Sequence, residues 1–189
     1  MPGVEYQEWW DAVCTVNDEA SFRQLFNHFY TGLVRFAMEL AASKEAAEEV
    51  VSDVFIQLWK NRGQEERIQH LKTYLYTAVR NRCHNYHRDA YKHQWQALDD
   101  VPEPSTDEIH PLLEYKEMKE CINLAIASLS PQCRTIFRLV REEGFKYKEV
   151  AAILDISPRT VETQLVRATG RLRQALQQYN RHLQQLSPR

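Results

Sequence analysis

The chain has 189 residues, of which 43% are hydrophobic, and its formal net charge is −2. This size allows one sizeable packed domain or two small ones. The sequence contains no run of about 18 apolar residues, so no membrane-spanning helix is expected. The first ten residues also lack the basic-then-apolar pattern of a secretion signal. The four cysteines are scattered without a CxxC pair, which favours a reducing cytoplasm. With only five glycines and few strand-like alternations, the sequence predicts an all-α protein.

Charge alternates in sign along the chain. Residues 1–60 carry 4 basic and 10 acidic groups, residues 61–93 carry 7 and 3, residues 94–120 carry 2 and 8, and residues 121–189 carry 11 and 5. A protein that binds nucleic acid needs a local basic patch rather than a high overall pI. The two basic segments therefore predict two DNA-contact surfaces. Chance clustering on solvated helices is the simpler alternative for either segment alone.

Two long helices are predicted in the first sixty residues. Asp18 can cap the first helix, and apolar residues between Phe22 and Leu40 then follow a helical period. Ser43 can cap the second helix, whose buried stripe is expected between Val50 and Trp59. Each helix therefore has a start signal and one apolar face to bury.

A third long helix is predicted from about residue 71 to residue 91, after a polar loop at residues 64–70. One side of this helix is apolar, and the other carries cationic and amide side chains suited to phosphates and base edges. The candidate DNA contacts are Lys72, Tyr74, Arg80, Asn81, His84, Asn85 and Arg88. Further candidates are Arg82 for phosphates and the rings of Tyr76, Tyr86 and Trp95 for exposed bases. Core packing is the alternative for the tyrosines. The first domain is predicted to span residues 18–92.

Residues 93–111 are predicted to form a flexible linker, because the run DDVPEPSTDEIHP within them contains three prolines and five acidic residues. A second helical domain is predicted at residues 112–178. Ser130 followed by Pro131 marks the start of one of its helices. The polar tail after Tyr179 is expected to fray.

The segment YKEVAAILDISPRTVETQLVRATGRLR, residues 147–173, predicts two short helices joined by a tight turn. Ser157 is a good N-cap residue, and Pro158 then takes the first helical position, where a missing N–H costs nothing. Lys146 gives the first helix a weak start, whereas Asp155 tolerates the left-handed backbone of the turn. This is the spacing of a helix-turn-helix whose second helix enters a DNA groove.

The second helix of this pair carries the candidate base and phosphate contacts. They are Arg159, Thr160, Glu162, Thr163, Gln164, Arg167 and Arg171. The arginines are expected to set the register on phosphates, and Glu162, Thr163 and Gln164 to read base edges. The alternative is a structural hairpin that touches no DNA, but a structural hairpin needs no such row of arginines.

Three segments in this order resemble bacterial RNA polymerase sigma factors of the extracytoplasmic-function (ECF) subfamily. AEEVVSDVFIQLWKN, residues 47–61, resembles the polymerase-binding helix of sigma region 2. LKTYLYTAVRNRCHNYHR, residues 71–88, resembles the promoter-melting and −10-reading helix of that region. Residues 129–173 resemble region 4, which reads the −35 element. The resemblance implies an all-α fold of two small helical domains, one for each region, joined by the linker.

The resemblance also implies partners and roles. It implies binding to core RNA polymerase through the β′ clamp coiled coil and the β flap, binding to promoter DNA, and control by an anti-sigma factor that can tether the chain at the inner membrane. The polymerase contacts that it implies are Glu49, Ser52, Asp53, Phe55 and Trp59. The loop at residues 64–70 resembles the family loop that captures a flipped base. Glu162 and Gln164 make the −35-reading face less basic, so no promoter sequence is carried over from a relative.

Catalysis finds no support in the sequence, which lacks a glycine-rich phosphate loop, a paired-carboxylate motif and a nucleophile elbow. We therefore expect no enzyme activity, no small-molecule substrate and no cofactor. Cys83, His84 and His87 are close enough for a metal, but no fourth ligand is near in sequence. The alternative functions are a helix-turn-helix regulator that is not a polymerase subunit, or a protein-interaction adaptor. A response regulator would need an α/β receiver domain, and an adaptor would not need the basic third helix.

Overall fold

A computed structural model describes residues 5–41, 43–63, 68–91 and 113–186. Within these ranges, the side chains of residues 5, 86–91, 113–116 and 182–186 are left undescribed. The described residues contain eight α-helices and no strand, which confirms the predicted all-α class. The chain divides into two compact units, with the boundary between Pro102 and Glu103. The predicted linker at residues 93–111 lies outside the described part of the chain.

The first unit is a bundle of four helices built around the second one. The helices are α1 (Glu5–Val16), α2 (Glu19–Met38), α3 (Lys44–Lys60) and α4 (Leu71–Tyr91). Helix α2 contacts the other three helices, and α3 also packs on α4. Fully buried aliphatic side chains from all four helices form the core, namely Val13, Leu25, Leu33, Val50, Val51, Leu58, Leu71, Leu75 and Val79. The bundle therefore leaves one face of α3 and one face of α4 exposed.

Both predicted helix caps in this unit are confirmed. The Asp18 carboxylate accepts hydrogen bonds from the backbone N–H groups of Ala20 and Ser21, at 3.1 and 3.3 Å. It also accepts a hydrogen bond from the Ser21 hydroxyl at 2.6 Å, and this bond is the main reason that the pKa of Asp18 is lowered. The Ser43 hydroxyl oxygen accepts from the Ala46 N–H at 3.2 Å. Each cap satisfies N–H groups that have no partner inside the helix.

Helix α1 is a feature that the sequence patterns did not predict. The first domain was expected to begin at residue 18, but α1 lies before it and packs on α2. Trp10 and Val13 are only 3% and 0% exposed. A helix of 12 residues is marginal by itself, because nucleation is costly, so its stability comes from this packing. The three-residue spacing between the apolar Trp10 and Val13 was the sequence pattern that could have predicted this helix.

The second unit is built around one long helix. Its helices are α5 (Leu113–Ala127), α6 (Pro131–Arg141), α7 (Tyr147–Leu154) and α8 (Pro158–Leu186). Helix α8 contacts each of the other three, and its Val161, Leu165 and Ala168 are buried with Ile136 and Ile153. The helix extends to Leu186, seven residues beyond Tyr179, and no glycine or proline interrupts the sequence there.

The helix-turn-helix has the predicted turn and start. Asp155 takes the left-handed conformation with φ 55° and ψ 51°. The Ser157 hydroxyl accepts from the Thr160 N–H at 3.0 Å, which confirms Ser157 as the cap of α8. Lys146 supplies no side-chain cap, but its backbone N–H donates to the Glu149 carboxylate at 2.7 Å. Glu149 thereby stabilises the helix start that the sequence left weak.

Candidate functional site

The outer side of α8 forms an open recess with the start of α7. We call it the reading recess, and it is lined by Tyr147, Lys148, Pro158, Arg159, Glu162, Thr163, Val166 and Arg167. Arg159, Thr163 and Arg167 are exposed and follow one another at intervals of four, so they share one helix face. Cationic and hydroxyl side chains on one exposed helix face suit phosphates and base edges. The structure thus brings four predicted contacts together here: these three and Glu162.

Val166 is a recess residue that sequence reasoning missed. Its side chain is 68% exposed, although it belongs to an apolar residue type. Helical periodicity could have predicted this exposure, because Val166 falls outside the stripe formed by Val161, Leu165 and Ala168, all of which are buried. An exposed methyl pair on a groove-facing helix can contact the C5-methyl group of thymine. Val166 therefore adds apolar contact to an otherwise polar recess.

Two threonines that were predicted as contacts have different surroundings. The Thr163 hydroxyl donates to the backbone carbonyl of Arg159 at 2.9 Å. Its oxygen then remains an acceptor, which suits the amino group of adenine or cytosine. The Thr160 hydroxyl lies 2.8 Å from the Ser157 hydroxyl, and Thr160 is only half-exposed. Thr160 thus completes the α8 cap and is a poorer candidate for base contact than Thr163.

A second recess opens between the start of α6 and the middle of α8. We call it the arginine pocket, and it is lined by Leu129, Ser130, Cys133, Gln164, Arg167, Gly170, Arg171 and Gln174. Gln164 lies here and not beside Thr163, because adjacent helical residues point about 100° apart. Ser130 precedes Pro131 as predicted, but its side chain makes no cap hydrogen bond. Two guanidinium groups beside a helix start favour an anion. Arg167 lines both recesses.

Cys133 fixes one wall of the arginine pocket. It is 4% exposed, and its thiol donates to the backbone carbonyl of Gln164 at 3.3 Å. Burial raises the pKa of the Cys133 thiol, although the neighbouring Arg167 and Arg171 act in the opposite direction. The thiol therefore stays protonated near neutral pH and joins α6 to α8.

In the first unit, α4 exposes a polar stripe. Asn81, His84 and Asn85 are exposed, and Lys72, Tyr74 and Arg80 are half-buried. The Arg80 guanidinium donates to the Asn81 side-chain oxygen at 3.3 Å. Five of these six predicted contacts thus lie on or beside the accessible side of α4, whereas Lys72 falls in register with the buried Tyr76 and Val79. The side chains of Arg88, Tyr86 and His87, together with Trp95, lie outside the described residues.

Two other predictions for α4 are wrong or altered. Tyr76 is 1% exposed, and its ring packs on Phe36 with centroids 5.2 Å apart, so it offers no surface to a base. The reason is rotational, since Tyr76 falls on the same inner face as Val79. Arg82, expected to contact phosphate, forms an ion pair with Asp53 of α3. That pair joins the two helices that were assigned to DNA and to polymerase.

The outer side of α3 carries three of the five predicted polymerase contacts: Glu49, Ser52 and Asp53. Glu49 is exposed, and Ile56, two turns further along the same helix face, is 49% exposed. Ser52 is half-buried and its hydroxyl donates to the Glu48 carbonyl at 2.8 Å. Asp53 is engaged by Arg82, with both side chains partly exposed. The face is therefore accessible and mixed in character, with acidic and apolar side chains side by side.

An aromatic groove of about 550 Å³ runs between α2 and α3. It is lined by Glu19, Phe22, Arg23, Phe26, Ser52, Phe55, Ile56, Trp59 and Lys60. Phe55 is 2% exposed and touches Phe26 with ring centroids 4.9 Å apart, so it forms the floor of the groove instead of an exposed polymerase contact. Trp59 packs on Phe22 at 4.8 Å and remains half-exposed. An apolar floor with charged edges suits a helix from another protein.

Two further findings concern metals and membranes. Cys83 is 2% exposed, and burial raises the pKa of its thiol to about 11. Among the described side chains, no three histidine, cysteine or acidic residues are grouped to hold a metal ion. None of the described helices combines the length and apolar content of a membrane span.

Comparison with known proteins matches both units to described families. Residues 25–93 match the family described as Sigma-70 region 2, and residues 119–172 match Sigma-70, region 4. The ECF RNA polymerase sigma factor SigL of Mycobacterium tuberculosis is 26% identical over 166 residues, covering 85% of this chain and 92% of that protein. The ECF sigma factor RpoE of Cereibacter sphaeroides is 25% identical over 158 residues, covering 83% and 87%.

A solved structure shares the fold. It is the sigma factor RpoE of Bartonella quintana in complex with the anti-sigma factor NepR, with a TM-score of 0.59, 24% identity, and coverage of 82% of this chain and 96% of that one. The matched regions occur in the order in which the two units follow each other along the chain. The chain therefore belongs to the sigma-70 family, in its extracytoplasmic-function group.

Proposed function

We propose that this protein directs core RNA polymerase to promoters by docking through α3, opening DNA along α4 and reading an upstream element with α8. The observation that carries the proposal is the first unit, in which an aromatic groove lies between α2 and α3, a polar stripe lies on α4, and the Asp53–Arg82 ion pair joins α3 to α4. A helix-turn-helix regulator that acts alone needs the second unit but neither of these surfaces. As an initiation factor, the protein supplies recognition while the polymerase supplies catalysis.

The reading recess is proposed to recognise the −35 element. Arg159 and Arg167 would hold phosphates or guanine edges, Thr163 would accept from a base amino group, and Val166 would contact a thymine methyl. The arginine pocket beside it would take a backbone phosphate between Arg167 and Arg171. Since Arg167 lines both recesses, it would link base reading to phosphate register.

The stripe on α4 is proposed to bind the −10 element during opening. Exposed Asn81 and Asn85 can hydrogen-bond base edges, and Tyr74 and His84 offer rings to unstacked bases. Stacking of a base on an aromatic ring is worth roughly 1–3 kcal/mol. This offsets part of the cost of unpairing, which is why a helix that opens DNA benefits from rings beside its amides.

The aromatic groove and the exposed face of α3 are proposed to receive the β′ clamp coiled coil. Ile56 and Trp59 supply apolar contact, and Glu49 and Asp53 supply negative charge at the rim. Recovery of core polymerase in a pull-down should fall for Asp53→Ala, as it should for Ile56→Ala. Arg82→Ala is the matched control, because it breaks the same ion pair while leaving the carboxylate in place. Equal loss with Asp53→Ala and Arg82→Ala would mean that the pair, and not the carboxylate, matters.

The second unit is proposed to contact the β flap, and the whole chain to be held by an anti-sigma factor. The solved complex of a sigma factor of the same fold with NepR supports a partner of that class. We place the protein in the cytoplasm with its polymerase, where a membrane-bound anti-sigma factor could hold it at the inner membrane. The proposal includes no cofactor and no small-molecule substrate.

In vitro transcription tests the proposal directly. Core polymerase with the purified protein should start transcripts at discrete sites on a library of genomic fragments, and core polymerase alone should not. A regulator that binds DNA without joining the polymerase would protect sites in a footprint but give no new starts. That second result would reject the sigma-factor mechanism.

A further inference from the structure

Helix α1 and the turn that follows it contact the chain on both sides of the α3–α4 connection. The Gln7 side-chain amide donates to the backbone carbonyl of Ile68 at 3.1 Å, three residues before α4 begins. Asn17 accepts a hydrogen bond from the Arg62 guanidinium at 2.8 Å, two residues after α3 ends. The two contacts therefore hold the end of one helix and the approach to the next.

Arg62 carries the second contact into α3. Its guanidinium also donates to the Trp59 carbonyl at 2.6 Å and lies 3.9 Å from the centroid of the Trp59 ring. A planar guanidinium held by a carbonyl, an amide oxygen and a ring has little freedom to move. Asn17 has a positive φ of 55°, a conformation that asparagine adopts more readily than most residues. Asn17 therefore suits both the turn and the hydrogen bond.

Helix α1 is itself packed against the bundle, so it can hold the segments that it contacts. Gln7, Trp10 and Asn17 are separated by three and seven residues, so they lie on one helix face or just beyond its end. Trp10 and Val13 are buried against the bundle, and the Tyr6 ring meets Phe29 edge-on with centroids 5.2 Å apart. Helix α1 also precedes residues 25–93, the part of the chain that matches the family region.

We propose that Gln7 and Asn17 are positioning residues for promoter opening, through which α1 fixes the α3–α4 connection. This inference rests on the proposed function, in which α3 holds the polymerase and α4 holds the opening DNA. Arg62 and Ile68 stand near the two ends of the connection, so losing their contacts leaves the exposed faces of α3 and α4 intact but lets the alignment of the two helices vary. The expected defect is in opening duplex DNA and not in binding polymerase.

The test uses holoenzyme with the full chain carrying both Gln7→Met and Asn17→Gly. Methionine is close to glutamine in length but has no N–H donor, and glycine keeps the positive φ while removing the acceptor. Permanganate reactivity of thymines measures opening of a duplex promoter. A second template carries the same promoter with a mismatched, already open −10 region. We expect the opening rate on duplex to fall about 3- to 10-fold, the factor for one or two ordinary hydrogen bonds, with normal activity on the open template.

Two variants serve as controls. Asn17→Asp keeps an acceptor for Arg62 and should behave as wild type. Thr15→Ala removes only a hydrogen bond to the Asp11 carbonyl within α1 and should also behave as wild type. Unchanged opening by the double variant would overturn the inference, and so would an equal defect on the open template, which indicates a general loss of structure. If the wild-type protein opens no promoter, the proposed function fails instead.

Discussion

The two helices predicted to contact DNA, α4 and α8, differ in how many of their predicted contact residues are exposed in the structure. Helix α8 contacts three helices through Val161, Leu165 and Ala168 but leaves Arg159, Thr163 and Arg167 exposed on another face. Helix α4 packs on both α2 and α3, and it turns Tyr76 into the core and pairs Arg82 with Asp53. On α8 the packing face and the predicted contact face are separate, whereas on α4 they overlap, so some polar residues of α4 are structural.

The largest expected effect separates Tyr76 from Tyr74, two of the tyrosines of α4. Tyr76→Ala should destabilise the first unit by about 3–5 kcal/mol, because it empties a buried aromatic site. Tyr74→Ala should cost far less stability but slow promoter opening. Urea unfolding followed by tryptophan fluorescence measures this, since all four tryptophans precede residue 96. Equal destabilisation by both changes would remove the distinction between an inner and an outer tyrosine.

On α8, the shared position of Arg167 predicts the largest loss of DNA binding. Arg167→Ala should weaken binding to the −35 element by roughly 1–3 kcal/mol, since it removes a contact from both recesses. Arg181→Ala is the control, because Arg181 is exposed on the same helix about 21 Å further along. Fluorescence anisotropy with a promoter duplex measures both. Similar losses would point to general charge attraction and not to the recesses.

The buried Cys83 of α4 predicts a pH dependence of the stability of the first unit. Burial raises the pKa of its thiol from 9.0 to about 11, so the folded state holds the proton more tightly than the unfolded state. The stabilisation that this protonated thiol contributes to the folded state is complete below pH 9. As the pH rises to about 11, the free energy of unfolding falls by roughly 2 kcal/mol. The stability difference between wild type and Cys83→Ala should narrow by that amount across this range. A constant difference would contradict the assignment.

The smallest expected effect concerns how α8 begins. Ser157→Ala should destabilise the first turn of α8 by about 1 kcal/mol, because the Thr160 N–H loses its acceptor. Ser130→Ala is a matched control, since Ser130 also precedes a helix-starting proline but makes no cap bond. Hydrogen exchange of amides near residue 160 should quicken only in the first variant. Comparable change in both would show that the serine before proline acts through backbone preference alone.

Local signals in the sequence were enough to predict most of the helices. The caps at Asp18, Ser43 and Ser157 and the left-handed turn at Asp155 depend on atoms within four residues, so the sequence determines them by itself. The same holds for the face shared by Arg159, Thr163 and Arg167, because helical periodicity sets it. These local features also carried the resemblance that the family matches then confirmed.

Only the tertiary structure decided which predicted residues are free to act. Asp53 and Arg82 are 29 residues apart in the sequence, and Gln7 and Ile68 are 61 residues apart, so no local sequence pattern predicts either contact. The inward position of Tyr76 depends on how α4 is rotated against its neighbours, which sequence periodicity gives only to within a residue. The sequence alone determined the helices and their family, whereas packing between distant segments determined which of their side chains reach a partner.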